Sequence, residues 1–245
     1  MAPNSPLKLL SLMGMTALVA GASAAPTFWN TGQGLQSFDR DLHWTAEKVQ
    51  GSSNFQGAQQ AWVMDTQSYP VLGQYNRRDY TNSQWISFSR DGYCANNDIF
   101  RFTTTFEIPT TGSGGSGGSG GTGSGNNQTQ GGGDAFGYTF KGKFSSDNAS
   151  EMYVNGQLVS GLPFYGELGY SFEAAKAFDA SAYLREGINT VSFLVGSADT
   201  MGGNAGPVTE WMGLRVEGAI QAVPEPASMA VVATGFAALM RRRKR

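Results

Sequence analysis

The ten residues IFRFTTTFEI, Ile99 to Ile108, constrain the fold more than any other stretch of the chain. Phe100, Phe102, Thr104 and Phe106 fall on one side of an extended backbone, and Arg101, Thr103, Thr105 and Glu107 on the other. Side chains alternate with period two only in a strand, so one greasy side and one polar side predict a sheet packed on a single face. The same punctuated pattern recurs along the chain. Further strands are predicted over Ala135 to Ser146, Glu151 to Val159, Asn189 to Ala198 and Trp211 to Ile220. Turn residues separate them at roughly ten-residue intervals, the spacing of an all-β sandwich or barrel. Within MYVNGQLV, Asn155-Gly156 predicts a two-residue type I′ hairpin turn, because both central positions need positive φ. Helical pattern is confined to Ser171 to Gly187, where a turn or two fits.

One segment breaks the strand pattern. Thr111 to Gly133 has no apolar residue and is about half glycine. Such a segment has no apolar surface to bury against the entropy of ordering it. A linker there would leave each flanking half short of strands. The reading is therefore one domain over 25–221 with a flexible insert at 111–133, and the strands on either side of the insert are expected to pair as a hairpin with an overgrown tip. Lengthening a loop costs only about 0.6 kcal/mol per doubling.

Both ends fall outside that domain. Residues 1–24 carry Lys8, an apolar run from Leu9 to Ala20 and small residues at Ala22-Ser23-Ala24, the three-part pattern of a secretory signal cleaved between Ala24 and Ala25. Residues 222–245 carry Pro224-Glu225-Pro226, an apolar run over Ala227 to Met240, and the basic stop Arg241, Arg242, Arg243, Lys244 and Arg245. That run is expected to form a hydrophobic helix, although it is shorter than the roughly 20 residues of a full span. The flanking bases orient it with the body of the protein outside.

Charge excludes one class of partner. Without Lys8, the five terminal bases and Glu225, the 17 basic and 19 acidic residues become 11 and 18, a mature net charge of −7. An acidic domain is poorly suited to phosphate backbones, so no nucleic-acid partner is expected. Cys94 is the only cysteine. No internal disulfide can form, and the lone thiol is expected to be buried.

The tail resembles the PEP-CTERM sorting signal of exported proteins of Gram-negative bacteria. That resemblance implies recognition of Pro224, Glu225 and Pro226 by an exosortase, a membrane-embedded processing enzyme. It further implies transient membrane insertion, and a mature form at the cell surface or in the extracellular matrix. The body is similar to a recurrent domain of PEP-CTERM proteins at DLHWT (Asp41 to Thr45), SQWIS (Ser83 to Ser87), FRFTTTFEIP (Phe100 to Pro109), SSDNASEMYVNG (Ser145 to Gly156), GINTVSFLV (Gly187 to Val195) and GLRVEG (Gly213 to Gly218). The fold implied is a jelly-roll-like β-sandwich of the carbohydrate-binding type. The function implied is a non-catalytic glycan-binding or structural component of an exopolysaccharide or biofilm matrix.

Chemistry-bearing residues are sparse. His43 is the only histidine and is expected to hydrogen-bond into a sheet edge. No G-x-S-x-G elbow is present. A glycosidase needs two facing carboxylates, and the acids here lie mostly beside turn residues. A polysaccharide-active hydrolase on the same scaffold is the alternative reading. No cofactor is expected apart from a structural calcium ion, with Asp98 and Asp147 as candidate ligands beside asparagines; Asx turns are the plainer explanation. Of the loop aromatics Tyr69, Tyr75, Tyr80, Tyr165, Tyr170 and Trp211, the candidates for stacking on sugar rings are Tyr165, Tyr170 and Trp211.

Overall fold

The computed structural model describes residues 26–66, 79–95, 98–110, 137–147, 149–159, 175–196 and 210–223. Twelve strands run through them: β1 (Arg40–Gln50), β2 (Ala58–Val63), β3 (Ile86–Ser87), β4 (Tyr93–Cys94), β5 (Ile99–Ile108), β6 (Tyr138–Asp147), β7 (Ala149–Val154), β8 (Gln157–Leu158), β9 (Lys176–Asp179), β10 (Gly187–Gly196), β11 (Glu210–Trp211) and β12 (Gly213–Ala222). Ten of them form one antiparallel sheet in the order β8-β7-β10-β5-β1-β2-β3-β12-β6-β9, and β11 and β4 make a separate ribbon. The protein is all-β, as the alternation requires.

The long sheet curls over so that its two arms face one another. β1 carries the bend. Asp41 pairs with Ala61 while Thr45 pairs with Gln60, so Leu42, His43 and Trp44 are extra residues on one strand. A bulge of this kind bends its strand and sharpens the local twist. Across the interior, Phe106 of β5 meets Phe140 of β6 with ring centroids 5.5 Å apart. Phe144 of β6 meets Phe193 of β10 at 5.1 Å. Trp44, Phe100, Phe102, Phe140 and Phe193 have no exposed surface. Burying each such ring contributes about 2–3 kcal/mol, which sets the scale of the stability of a chain with no disulfide. Core residues come from both sides of the 111–133 insert.

Two local expectations are met closely. β5 spans Ile99 to Ile108, with Phe100, Phe102, Thr104 and Phe106 buried and Arg101, Thr105 and Glu107 exposed. Asn155 and Gly156 have φ of 53° and 79° and close the β7–β8 hairpin with Val154 opposite Gln157.

One other is corrected and another is met in part. β5 and β6 are not a hairpin: β5 pairs with β1 and β10, and β6 with β12 and β9. Adjacency in the chain was the only ground for pairing them, and both sides of each strand are taken by partners distant in sequence. Of the stretch expected to hold a helical turn or two, the described residues keep a single 3-10 turn at Ser181–Tyr183, while Lys176–Asp179 is strand β9. Pairing of Lys176 to Asp179 with Phe144 to Lys141 overrides the helix preference of its Ala and Lys residues.

The first described residues are built into the sheet. Phe28 packs against Phe140 at 4.8 Å, and the Thr31 hydroxyl both donates to the Gln84 carbonyl (2.7 Å) and accepts from the Val216 N–H (3.0 Å). At the other end, the Val223 N–H donates to the Gly137 carbonyl at 2.6 Å, immediately before Pro224. Among the described residues no helix is long and apolar enough to cross a membrane. The signal residues Ala24 and Ala25, the sorting motif Pro224 to Pro226 and the basic stop lie outside those residues.

Candidate functional site

The outer surface around β2, β3 and the β4–β11 ribbon gathers aromatic rings and two arginines. It is organised by the turn at Ser89 to Gly92. The Asp91 carboxylate accepts from the Ser89 hydroxyl (2.9 Å), which accepts in turn from the Gly92 N–H (3.1 Å). Gly92 has φ of 73°, and a Cβ there would stand 2.6 Å from the Met64 methyl. The positive φ favours glycine, and any other residue would also have to displace the Met64 methyl. The Met212 N–H then bonds the Gly92 carbonyl at 2.9 Å, and the Ser87 hydroxyl bonds the Met212 carbonyl at 2.6 Å. These bonds hold the ribbon against β3. On it Tyr93 and Trp211 sit directly opposite, with ring centroids 3.9 Å apart and planes at 38°. Tyr93 is 42% exposed and Trp211 half-buried.

The same turn also carries Arg90. Its guanidinium carbon lies 4.6 Å from the Phe38 ring centroid and 5.6 Å from that of Trp62. Arg40, paired opposite Trp62 in the sheet, lies 3.6 Å from the same indole and donates from Nη1 to the Gln60 carbonyl. Ala61 and Val63 point into the core, so strand alternation puts Trp62 on the outside. Partial desolvation lowers the pKa of Arg40, but a guanidinium stays charged at any physiological pH. Neither Arg40 nor Arg90 has a carboxylate within ion-pair distance among the described residues, unlike Arg101, which pairs with Glu47, and Lys141, which pairs with Asp179.

A second cluster, on the outer face of β6 and β12, is closed. Arg215 stacks over Tyr80 at 4.4 Å and donates to the hydroxyl (3.1 Å) and carbonyl of Ser83. The Tyr80 hydroxyl bonds that of Ser145 at 2.7 Å. Glu217 accepts from the N–H (2.9 Å) and hydroxyl (3.0 Å) of Thr81 and from the Asn82 N–H (3.0 Å). Burial pushes the Tyr80 phenol well above its usual range. Partial burial raises the Glu217 pKa, but the bonds from Asn82 and Thr81 outweigh it and hold the carboxyl below its usual value.

The structure brings one predicted aromatic, Trp211, to the open surface and takes another away. Tyr80 is buried and bonded inside the closed cluster. Tyr69, Tyr75, Tyr165 and Tyr170 lie outside the described residues. His43 does not bond into a sheet edge: it is exposed on the β1 bulge and stacks flat on Trp29 at 3.8 Å. The bulge frees its side chain, while its N–H donates to the buried Asp41 carboxylate at 2.9 Å. The Asp98 carboxylate accepts from the N–H of Ala95 (3.0 Å), a local turn contact, and from that of the sequence-distant Ser53 (3.2 Å). Asp147 is buried on β6 opposite Gly213. Among the described residues no three His, Cys, Asp or Glu gather as a metal site. Cys94 is buried, as expected.

Comparison with known proteins supports the reading of the tail. The family model of the PEP-CTERM protein-sorting motif matches residues 222–245. The chain carries that sorting signal, which implies exosortase-dependent export through a membrane-anchored precursor. No curated protein matches the chain. Similar solved structures include an α-L-rhamnosidase from Dictyoglumus thermophilum, at 14% identity and TM-score 0.34 over 56% of this chain and 14% of that one. An FMN-binding β-glucuronidase from Facaelibacterium prausnitzii L2-6 is similar at 12% identity and TM-score 0.34, over 79% of this chain and 23% of that one. A putative β-galactosidase from Bacteroides fragilis is similar at 13% identity and TM-score 0.32, over 78% and 23%. The chain thus spans less than a quarter of the length of these enzymes, and likeness at this level carries no information on activity or ligand.

Proposed function

We propose that the mature protein is a non-catalytic glycan-binding component of the cell surface or extracellular matrix, delivered there through its C-terminal sorting signal. The observation that carries this reading is the Tyr93–Trp211 pair, two contacting rings on a ribbon pinned to the sheet, with Tyr93 exposed and Trp211 half-buried. Flat apolar rings held rigidly at a surface suit the apolar faces of sugar rings, because little conformational freedom is lost when the ligand stacks. Retardation of the exported protein in native gels containing neutral or acidic polysaccharides tests the proposal. Trp211→Ala is expected to weaken retardation about tenfold, equivalent to ~1.4 kcal/mol. Absence of retardation by any polysaccharide would leave a purely structural role. Delivery is tested separately: replacing Glu225 and Pro226 should leave a larger, membrane-retained form, and normal processing of that variant would count against exosortase sorting.

A further inference from the structure

We infer that the Arg40–Trp62–Arg90 cluster is a binding site for the carboxylate groups of an acidic, uronate-bearing polysaccharide. The inference rests on the glycan-binding reading above and deepens it by naming the ligand class. Its ground is a charge anomaly. The mature domain is acidic, yet two guanidiniums approach one indole, 3.6 Å and 5.6 Å from its centroid, with no carboxylate partner among the described residues. The arginine of the closed cluster shows the contrast, since Arg215 is buried and donates to Ser83 at two points.

Two like charges held against one ring repel each other, and an anion between or beside them offsets that repulsion. Arg40 is held by the indole face and by the bond from Nη1 to the Gln60 carbonyl, and Arg90 is held beside Phe38. Arg90 itself is exposed and Arg40 half-exposed, so donors on both remain in reach of solvent. Planar guanidiniums with spare N–H donors match a carboxylate in a two-bond fork. Tyr93 follows Arg90 by three residues, which places it within about 10 Å along the chain. One sugar of a polymer can therefore set its carboxylate on the arginines while a neighbouring sugar stacks at Tyr93 and Trp211. A polymer with a carboxylate on each unit meets both demands; a free small anion meets only the first.

Affinity electrophoresis of the exported protein in gels containing polygalacturonate, and separately a neutral glucan, tests this. The expected result is stronger retardation by polygalacturonate, weakening as salt rises. Arg90→Gln should reduce it at least tenfold, and Arg40→Gln/Arg90→Gln should abolish it, with retardation by the neutral glucan unchanged. Arg90→Lys should rescue only partly, because the ammonium keeps the charge and loses the fork. Arg90 is exposed, so its variant keeps the fold, and near-ultraviolet circular dichroism checks that for the double variant. Polygalacturonate binding within twofold of wild type in both Gln variants overturns the inference, as does wild-type binding to neutral glucan alone; in either case the glycan-binding reading survives. Binding to neither polymer overturns both. Retention on phosphatidylglycerol vesicles without polygalacturonate binding also overturns it, in favour of a membrane surface.

Discussion

Arg215 and Arg40 each lay a guanidinium on an aromatic ring, at 4.4 Å over Tyr80 and 3.6 Å over Trp62, and the chain treats the two in opposite ways. Arg215 is buried, and its neighbours Ser83, Tyr80, Ser145 and Glu217 are bonded to one another or to the 81–83 segment. Arg40 stands at a surface with Arg90, and neither has a carboxylate within ion-pair distance among the described residues. The same contact that fastens one segment to β12 is, on the other side of β3, left open to solvent. A stacked arginine therefore indicates function only when its remaining donors are unspent.

Breaking the closed cluster should cost the most stability. Arg215→Ala removes a buried charge and strips the Tyr80 face and Ser83 of their partner. A loss of about 3 kcal/mol is expected from urea unfolding. A Cβ at Gly142, opposite Gly218 on the same strand pair, would stand 2.4 Å from the Glu217 carbonyl oxygen. Because backbone cannot yield as a side chain can, Gly142→Ala should force β6 from β12 and cost about 2–3 kcal/mol.

A subtler cut uses pH. The Glu217 carboxyl titrates below its unfolded value, so it contributes stability that is present above about pH 4.3 and lost as pH falls through the lower folded value. Glu217→Gln should cost about 1 kcal/mol at pH 7, allowing for its half-exposure, and flatten the decline in urea midpoint below about pH 5. An unchanged acid limb would show that the carboxylate does not hold the 81–83 segment.

Two smaller effects complete the contrast. The Thr104 hydroxyl, buried among phenylalanines, has no hydrogen-bond partner among the described residues. Thr104→Val should stabilise by about 1 kcal/mol, because the isosteric methyl removes an unmet donor. Arg90→Gln on the open side should move stability by no more than about 0.5 kcal/mol while sharply reducing polyuronate binding. A stability loss as large as that of Arg215→Ala would make the open cluster structural too.

Where strands obeyed period two, they were legible in the sequence. β5 has no irregularity over ten residues, and Asn155-Gly156 can hardly be anything but a tight turn. β1 escaped because Leu42 to Trp44 insert three residues into the ladder and destroy the alternation of RDLHWTAEKVQ. β3 and β4 are two residues each, too short to carry a period. The site was less legible than the fold. Trp211 stands out by itself, but Trp62 becomes significant only when sheet register sets Arg40 beside it and the 89–92 turn returns Arg90. Those residues are 22 and 28 positions away in the chain, and no local motif links them. The one available signal was AQQAWV, whose Ala61 and Val63 alternate around an outward Trp62.

Tryptophan fluorescence during titration with galacturonate oligosaccharides separates the two surfaces in a single experiment. Trp44 and Trp85 are buried, whereas Trp62 and Trp211 belong to the open surface. A saturable change in the wild-type protein that falls to less than a quarter in Trp62→Phe/Trp211→Phe is the expected result. The same change in the double variant, or its loss only on Trp29→Phe at the His43 stack, would place the ligand elsewhere and contradict the assignment.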